Sequence, residues 1–70
     1  MTEDYRGHRI HLTRTRLWDA VIIDAETGIT LPTKATALLR EGRSVAMARA
    51  CRLIDIYLDA TASGRARRAA

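Results

Sequence analysis

Histidines, a cysteine and several carboxylates are the residues of this chain that could do chemistry, but their spacing does not favour it. His8 and His11 are three positions apart in a segment that alternates like a strand, so they should point to opposite faces. No acid or cysteine stands at a spacing that completes a metal site with either histidine. We therefore expect neither a metal ion nor a cofactor.

A nucleophile with its base is equally hard to find. Cys51 falls on the flank of an apolar helical arc, which is typical of a small buried side chain. Asp55 and Asp59 share a helix face, where Arg52 is their simplest partner. The glycines are isolated and form no phosphate-binding loop. We predict that the protein is not an enzyme and has no small-molecule substrate.

A basic hairpin near the N-terminus is a better candidate for recognition. Between Tyr5 and Leu17 there are four arginines and no acid. Arginine contacts phosphate well, and a two-stranded ribbon fits the major groove of DNA. The candidate nucleic-acid site consists of Arg6, Arg9, Arg14, Arg16 and Trp18. Asp19 and Asp24 on the next strand would repel phosphate, so a hairpin that is simply solvated is the alternative we favour.

Two strands are expected to carry the hairpin. Residues 1–4 are polar and should be frayed. Residues 5–13 alternate well enough for a strand, and residues 14–16 suit a hairpin connection. Residues 17–24 are rich in β-branched and aromatic side chains and give the strongest strand prediction in the chain.

The second half of the chain should provide a helix. Residues 25–28 are predicted to form a turn before it. Residues 29–31 suit a short third strand that ends at Pro32, and residues 34–39 should be extended or irregular. Ser44 is a good N-cap for an amphipathic helix that runs from Val45 to about Ala60.

Composition limits the chain to one small domain. The chain has 70 residues, of which 47% are hydrophobic, and a formal net charge of +4. We expect residues 1–60 to form the domain and residues 61–70, which lack large apolar side chains, to be a disordered basic tail. The tail carries three of the 12 basic residues, so the remainder has 9 against 8 acids. Abundant arginine and alanine are typical of a GC-rich bacterial genome, and a lone cysteine fits the cytoplasm.

Apolar residues outnumber those that one helix can cover. Val21 and Ile23 lie on one face of the second strand, and Trp18 and Ile22 lie on the other. The helix can bury only one of these sets, and Ile56 projects among charged residues. A small core also gains stability from a partner subunit. We predict a homodimer, or another protein partner, with Val21, Ile23 and Ile56 at the interface.

The chain also resembles the ethylene-response-factor and integrase-type DNA-binding domain. The resemblance covers residues 5–59 and is carried by Tyr5-Arg6-Gly7, Trp18-Asp19-Ala20-Val21-Ile22-Ile23-Asp24 and an alanine-rich helix that ends near Tyr57. It implies a small antiparallel sheet packed on one helix, with the arginines of the hairpin and Trp18 as DNA contacts. That family has a third strand with a Trp-Leu-Gly core, in place of which this chain has residues 29–32.

These observations combine into one expectation for fold and function. The fold should be α+β, with a two- or three-stranded antiparallel sheet packed against one C-terminal amphipathic helix, a plan shared by many uncharacterised small bacterial proteins. The function should be that of a non-catalytic, homodimeric protein-interaction module. Binding of DNA or RNA through the hairpin and the tail is the alternative.

Overall fold

Four strands and one helix make up the fold, which a computed structural model describes for the backbone of residues 2–69 and the side chains of residues 2–60. They are β1 (Thr2–Tyr5), β2 (His8–Arg14), β3 (Leu17–Asp24), β4 (Ala35–Leu38) and α1 (Arg43–Ala69). The strands form one antiparallel sheet in the order β1-β2-β3-β4, and α1 packs on one of its faces. The predicted α+β fold is confirmed, although the described residues contain four strands rather than two or three.

The extra strand is β1, which the sequence analysis wrongly treated as a frayed end. The chain folds back at Arg6 and Gly7, and Tyr5 then pairs with His8. Arg6 has φ 46° and Gly7 has φ 78°, so both turn residues adopt the left-handed region. Such a two-residue turn matches the twist of the strands that it joins, and Gly7 tolerates it because it has no Cβ. Because arginine occupies the first turn position, the sequence lacks the Asn-Gly pair that usually identifies such a turn.

Strand β3 has the predicted bounds and divides into two faces as its alternation requires. Ala20 and Ile22 are fully buried, and they pair with Leu12 and Ile10 of β2, which are also buried. Val21 and the other odd-numbered residues of β3 point to the opposite side. The helix therefore covers the face of Ala20 and Ile22.

The segment between β3 and α1 is more ordered than its sequence indicates. Asp24 accepts hydrogen bonds from the backbone of the predicted turn at residues 25–28, with Oδ1 2.9 Å from the amide nitrogen of Glu26. The predicted strand at residues 29–31 is reduced to one bridge, between Thr30 and Ile23, before Pro32 interrupts it. The segment predicted to be extended or irregular, residues 34–39, contains β4, and Leu39 already lies in the turn that follows the strand.

Helix α1 packs on the sheet through small side chains. Ala46, Ala50 and Ile54 are fully buried against the sheet, whose own core residues include Ala35 and Ala37. The helix begins at Arg43, so the prediction of Ser44 as its N-cap is wrong. Gly42, with φ 92°, turns the chain into the helix. The predicted helix end near Ala60 is also wrong, since α1 continues to Ala69. The side chains of the predicted disordered tail, residues 61–70, lie outside the described residues.

None of the helical residues described here forms a stretch that is both long and apolar enough to cross a membrane.

Two isoleucines on α1 provide a matched test of this packing. Ile54 is fully buried, whereas 52% of Ile56 is exposed. We expect Ile54→Ala to lower the free energy of unfolding by about 2–5 kcal/mol, because it leaves a cavity in the core. Ile56→Ala, measured in dilute protein, should change it by no more than about 0.5 kcal/mol. Urea unfolding followed by circular dichroism measures both, and equal losses would contradict the assigned helix orientation.

A candidate protein-interaction surface

The face of the sheet that points away from α1 has no covering element among the described residues, and we call it the open face. The pairing register places eleven residues on it. They are Thr2, Asp4, Arg9, His11, Thr13, Leu17, Asp19, Val21, Ile23, Thr36 and Leu38. The alternation of the strands produces this surface, because each of its residues lies between neighbours that face the helix.

Apolar side chains occupy the middle of the open face. Val21 and Ile23 lie on β3, an interior strand, and each is only half-buried. Leu17 and Leu38 pair with each other at one end of the sheet and are 36% and 42% exposed. Asp19 separates Leu17 from Val21 on β3, but the exposed apolar side chains that remain are typical of a surface that contacts another protein.

The charged groups of the open face form two pairs of opposite sign. Arg9 Nε lies 3.5 Å from Asp4 Oδ1, and Lys34 Nζ lies 3.5 Å from Asp19 Oδ1. Exposed pairs of this kind contribute little to stability. Among the described residues, the two pairs cancel each other's formal charges on the open face. A surface without a net positive charge does not attract phosphate strongly.

The arginines of the predicted nucleic-acid site do not share a surface. Arg9 lies on the open face, but Arg6 lies in the β1–β2 turn, where its Nη1 is 2.8 Å from Asp55 Oδ1 of α1. Arg6 is therefore occupied in joining the hairpin to the helix. The structure does not bring these two guanidinium groups together.

The other members of that predicted site lie at the far end of the hairpin. Arg14 is stacked over Trp18, with its Cζ 6.0 Å from the ring centroid. Trp18 is half-buried against the core on the helix side of the sheet. Arg16 is exposed in the β2–β3 connection. Trp18 thus packs in the core, and it does not present its ring on the open face.

The predicted oligomer interface is divided between two surfaces. Val21 and Ile23 are neighbours on the open face, as expected. Ile56 is exposed on α1, which packs on the opposite side of the sheet. The three residues therefore do not form one patch.

A polar cluster that joins the hairpin to α1 was missed by the sequence analysis. The Tyr5 hydroxyl donates a hydrogen bond of 2.9 Å to Asp55 Oδ1, which also accepts the 2.8 Å bond from Arg6. These two donors hold the pKa of Asp55 below its usual range, and donation to the carboxylate raises the pKa of Tyr5. The sequence pointed to Arg52 as the partner of Asp55, because only local spacing is visible there.

A second polar cluster joins β4 to the helix. Arg49 donates to both carboxylate oxygens of Glu41, at 3.3 and 2.7 Å, and to the carbonyl oxygen of Thr36 at 2.9 Å. Glu41 also accepts a 2.9 Å hydrogen bond from the backbone amide of Leu38. The hydrogen bond from the backbone amide lowers the pKa of Glu41 most, and the hydrogen bonds from Arg49 lower it further.

The residues considered for metal or nucleophilic chemistry are separated. His8 is buried on the helix side, with Nδ1 3.0 Å from the carbonyl oxygen of Arg6, and His11 lies on the open face. Across the described residues, no three histidine, cysteine or acidic side chains gather closely enough to hold a metal ion. Cys51 is a free thiol whose pKa is raised by burial, which does not favour a thiolate.

Acid should weaken the two polar clusters. A carboxylate whose folded-state pKa is lowered contributes stability that is complete above its unfolded pKa of about 4 and is lost as the pH falls through the folded value. We expect the urea midpoint to fall between pH 7 and pH 3. Asp55→Asn should reduce that fall, because the variant has no carboxylate to protonate at this position.

The control for this prediction is Glu26→Gln, which removes an exposed carboxylate in the turn after β3. Between pH 7 and pH 3, the urea midpoint of this variant should fall by as much as that of the unmodified protein. If the urea midpoint of Asp55→Asn falls between pH 7 and pH 3 by as much as that of the unmodified protein, the role assigned to Asp55 is contradicted.

Comparison with protein-family models, with curated proteins and with solved structures found no match for this chain. The resemblance to the ethylene-response-factor and integrase-type domain stays a prediction.

Proposed function

We propose that this chain is a non-catalytic protein-interaction module that forms a homodimer through the open face of its sheet. One observation carries the proposal: Val21 and Ile23 lie in the middle of an interior strand, on the face that α1 does not cover. Contact with a second copy would remove this apolar strip from water, which is the main driving force for such association. The lone cysteine is consistent with a module of the cytoplasm.

The size of the core supports the need for a partner. Among the described residues, the largest side chains that are fully buried are Ile10, Ile22 and Ile54, and five of the other core residues are alanines. Alanine adds little apolar area, so this core should stabilise the monomer by only a few kcal/mol. Burial of the open face in a dimer would add apolar area that the monomer cannot bury.

The charge pattern supports a second copy as the partner. Along the strand direction, the cross-strand residue pair that contains Val21 lies midway between the pair that contains Arg9 and the pair that contains Asp19. A two-fold axis that crosses the strands near Val21 would reverse their direction in the second copy. Arg9 of one protomer would then lie within reach of Asp19 of the other, twice in each dimer. Such complementarity fixes orientation more than it adds affinity.

Nucleic acid fits the same surface less well. Phosphate would meet Asp4 and Asp19 on the open face, and only Arg9 of the predicted contacts lies there. Of the other arginines of the hairpin, Arg6 binds Asp55 and Arg14 stacks on Trp18, while Arg16 is exposed in the β2–β3 connection, away from the open face. These contacts favour the protein partner over DNA or RNA.

The mass of the protein in solution tests the dimer. Size-exclusion chromatography with light scattering should give twice the chain mass of 7.8 kDa at tens of micromolar. Val21→Lys should halve that mass, because it would bury an ammonium group in the interface. Ala25→Lys, in the exposed turn after β3, adds the same charge away from the open face and should leave the dimer intact. A monomeric unmodified protein would contradict the proposal.

The nucleic-acid alternative has its own measurement. Fluorescence anisotropy with a labelled DNA duplex and a labelled RNA hairpin should show no binding at micromolar protein in physiological salt. Binding that weakens steeply with salt, and that disappears when Arg9, Arg14 and Arg16 are replaced by alanine, would favour a nucleic-acid-binding protein. Together with a monomeric mass, that result would overturn the proposed function.

A further inference from the structure

An apolar groove lies on the other side of the molecule, between α1 and the segment that precedes β4. It has a volume of about 250 Å³ and is lined by Leu31, Pro32, Thr33, Leu53, Ile56 and Tyr57. Ile56 and Tyr57 are 52% and 45% exposed. Large apolar side chains that project from a helix beside a groove are a common form of interface.

Two charged residues of opposite sign flank Ile56 along the helix. Arg52 precedes it by four positions and Asp59 follows it by three, so both lie on the same side of α1. Both side chains are exposed. The charged groups nearest to them in sequence are already engaged, since Asp55 binds Arg6 and Arg49 binds Glu41. Arg52 and Asp59 therefore present a positive and a negative end around an apolar centre.

We propose that this stripe of α1 pairs with the same stripe of a second copy, in antiparallel orientation, with Ile56 near the two-fold axis. Antiparallel pairing places the turn before Ile56 of one helix against the turn after Ile56 of the other. Arg52 then faces Asp59 of the second copy, twice in each pair. Parallel pairing would place like charges together, and the resulting repulsion disfavours it.

The pattern identifies a second copy as the occupant of the groove. An isologous contact requires a surface that is complementary to itself after a two-fold rotation. A positive group, an apolar centre and a negative group in a line along the helix meet that requirement. Each Ile56 would enter the groove of the other copy beside Tyr57, as ridges of one helix pack into grooves of the next.

This helix contact is separate from the open face, because the two surfaces lie on opposite sides of the sheet. A chain with both contacts assembles beyond a dimer as its concentration rises. The helix contact can therefore be measured alone in the Val21→Lys variant, which disables the contact through the open face. That variant should be monomeric when dilute and approach twice its mass at high concentration in sedimentation equilibrium.

Charge reversal is the sharpest test of the antiparallel arrangement. In the Val21→Lys background, Arg52→Asp alone should weaken self-association at least tenfold, because the introduced carboxylate faces Asp59 of the second copy. Asp59→Arg alone should have the same effect for the opposite reason. The two changes together should restore self-association to within about threefold of the starting protein. Two single variants without effect, or a double variant that is as weak as the single ones, would overturn the proposal.

Disulfide trapping tests the position of the axis without dependence on the sheet contact. In a Cys51→Ala background, Ile56→Cys should form an intermolecular disulfide rapidly in mild oxidant, since residues near a two-fold axis approach each other within bonding range. Ala25→Cys in the same background should do so much more slowly. Equal rates for the two variants would place Ile56 away from any axis and overturn the helix contact.

The two contacts can fail separately. If the unmodified protein self-associates and Ile56→Asp alone makes it monomeric, the helix contact stands and the contact through the open face falls. If the unmodified protein is a dimer and Val21→Lys stays monomeric at every concentration, the helix contact falls and the open-face dimer stands.

Discussion

The close packing of α1 on one face of the sheet is the constraint on which the rest of the structure depends. Ala46 and Ala50 of the helix meet Ala20, Ala35 and Ala37 of the sheet, so little side-chain volume separates the two backbones. A helix is about 10 Å wide, and four strands span about 14 Å, so the helix covers one face and no more. The described residues provide no second element for the other face, and the open face is left uncovered as a result.

Polar contacts fix where the helix lies on that face. Asp55 binds the hairpin turn through Arg6 at one end of the packed region, and Arg49 binds Glu41 at the other. These contacts use basic residues that could otherwise have formed a phosphate-binding surface. The charge of +4 is thus a poor guide to the partner, because part of it holds elements together within the chain.

The sequence predicts local structure only in part. The strand expected from the alternation of residues 5–13 is interrupted by the turn at Arg6 and Gly7, so β2 begins only at His8. Strand β3 is predicted with its observed bounds, because it is rich in β-branched and aromatic side chains, which favour a strand on either face. Strand β1 was not predicted, since its four polar residues bury little and depend on a turn whose first residue is Arg6. The contacts of Asp55 were beyond any local pattern, because they join positions about fifty residues apart in the chain.

The two uncovered surfaces differ in how strongly they should associate. Val21 and Ile23 are β-branched, lie on an interior strand and are already half-buried, so little conformational freedom remains for a partner to remove. Ile56 projects further, and its neighbour Arg52 has a long side chain that must be ordered on contact. The open face should therefore give the tighter contact, and the helix stripe should act when protein concentration is high. On these grounds we expect the proposed open-face dimer to form first and the proposed helix contact to join such dimers into larger assemblies.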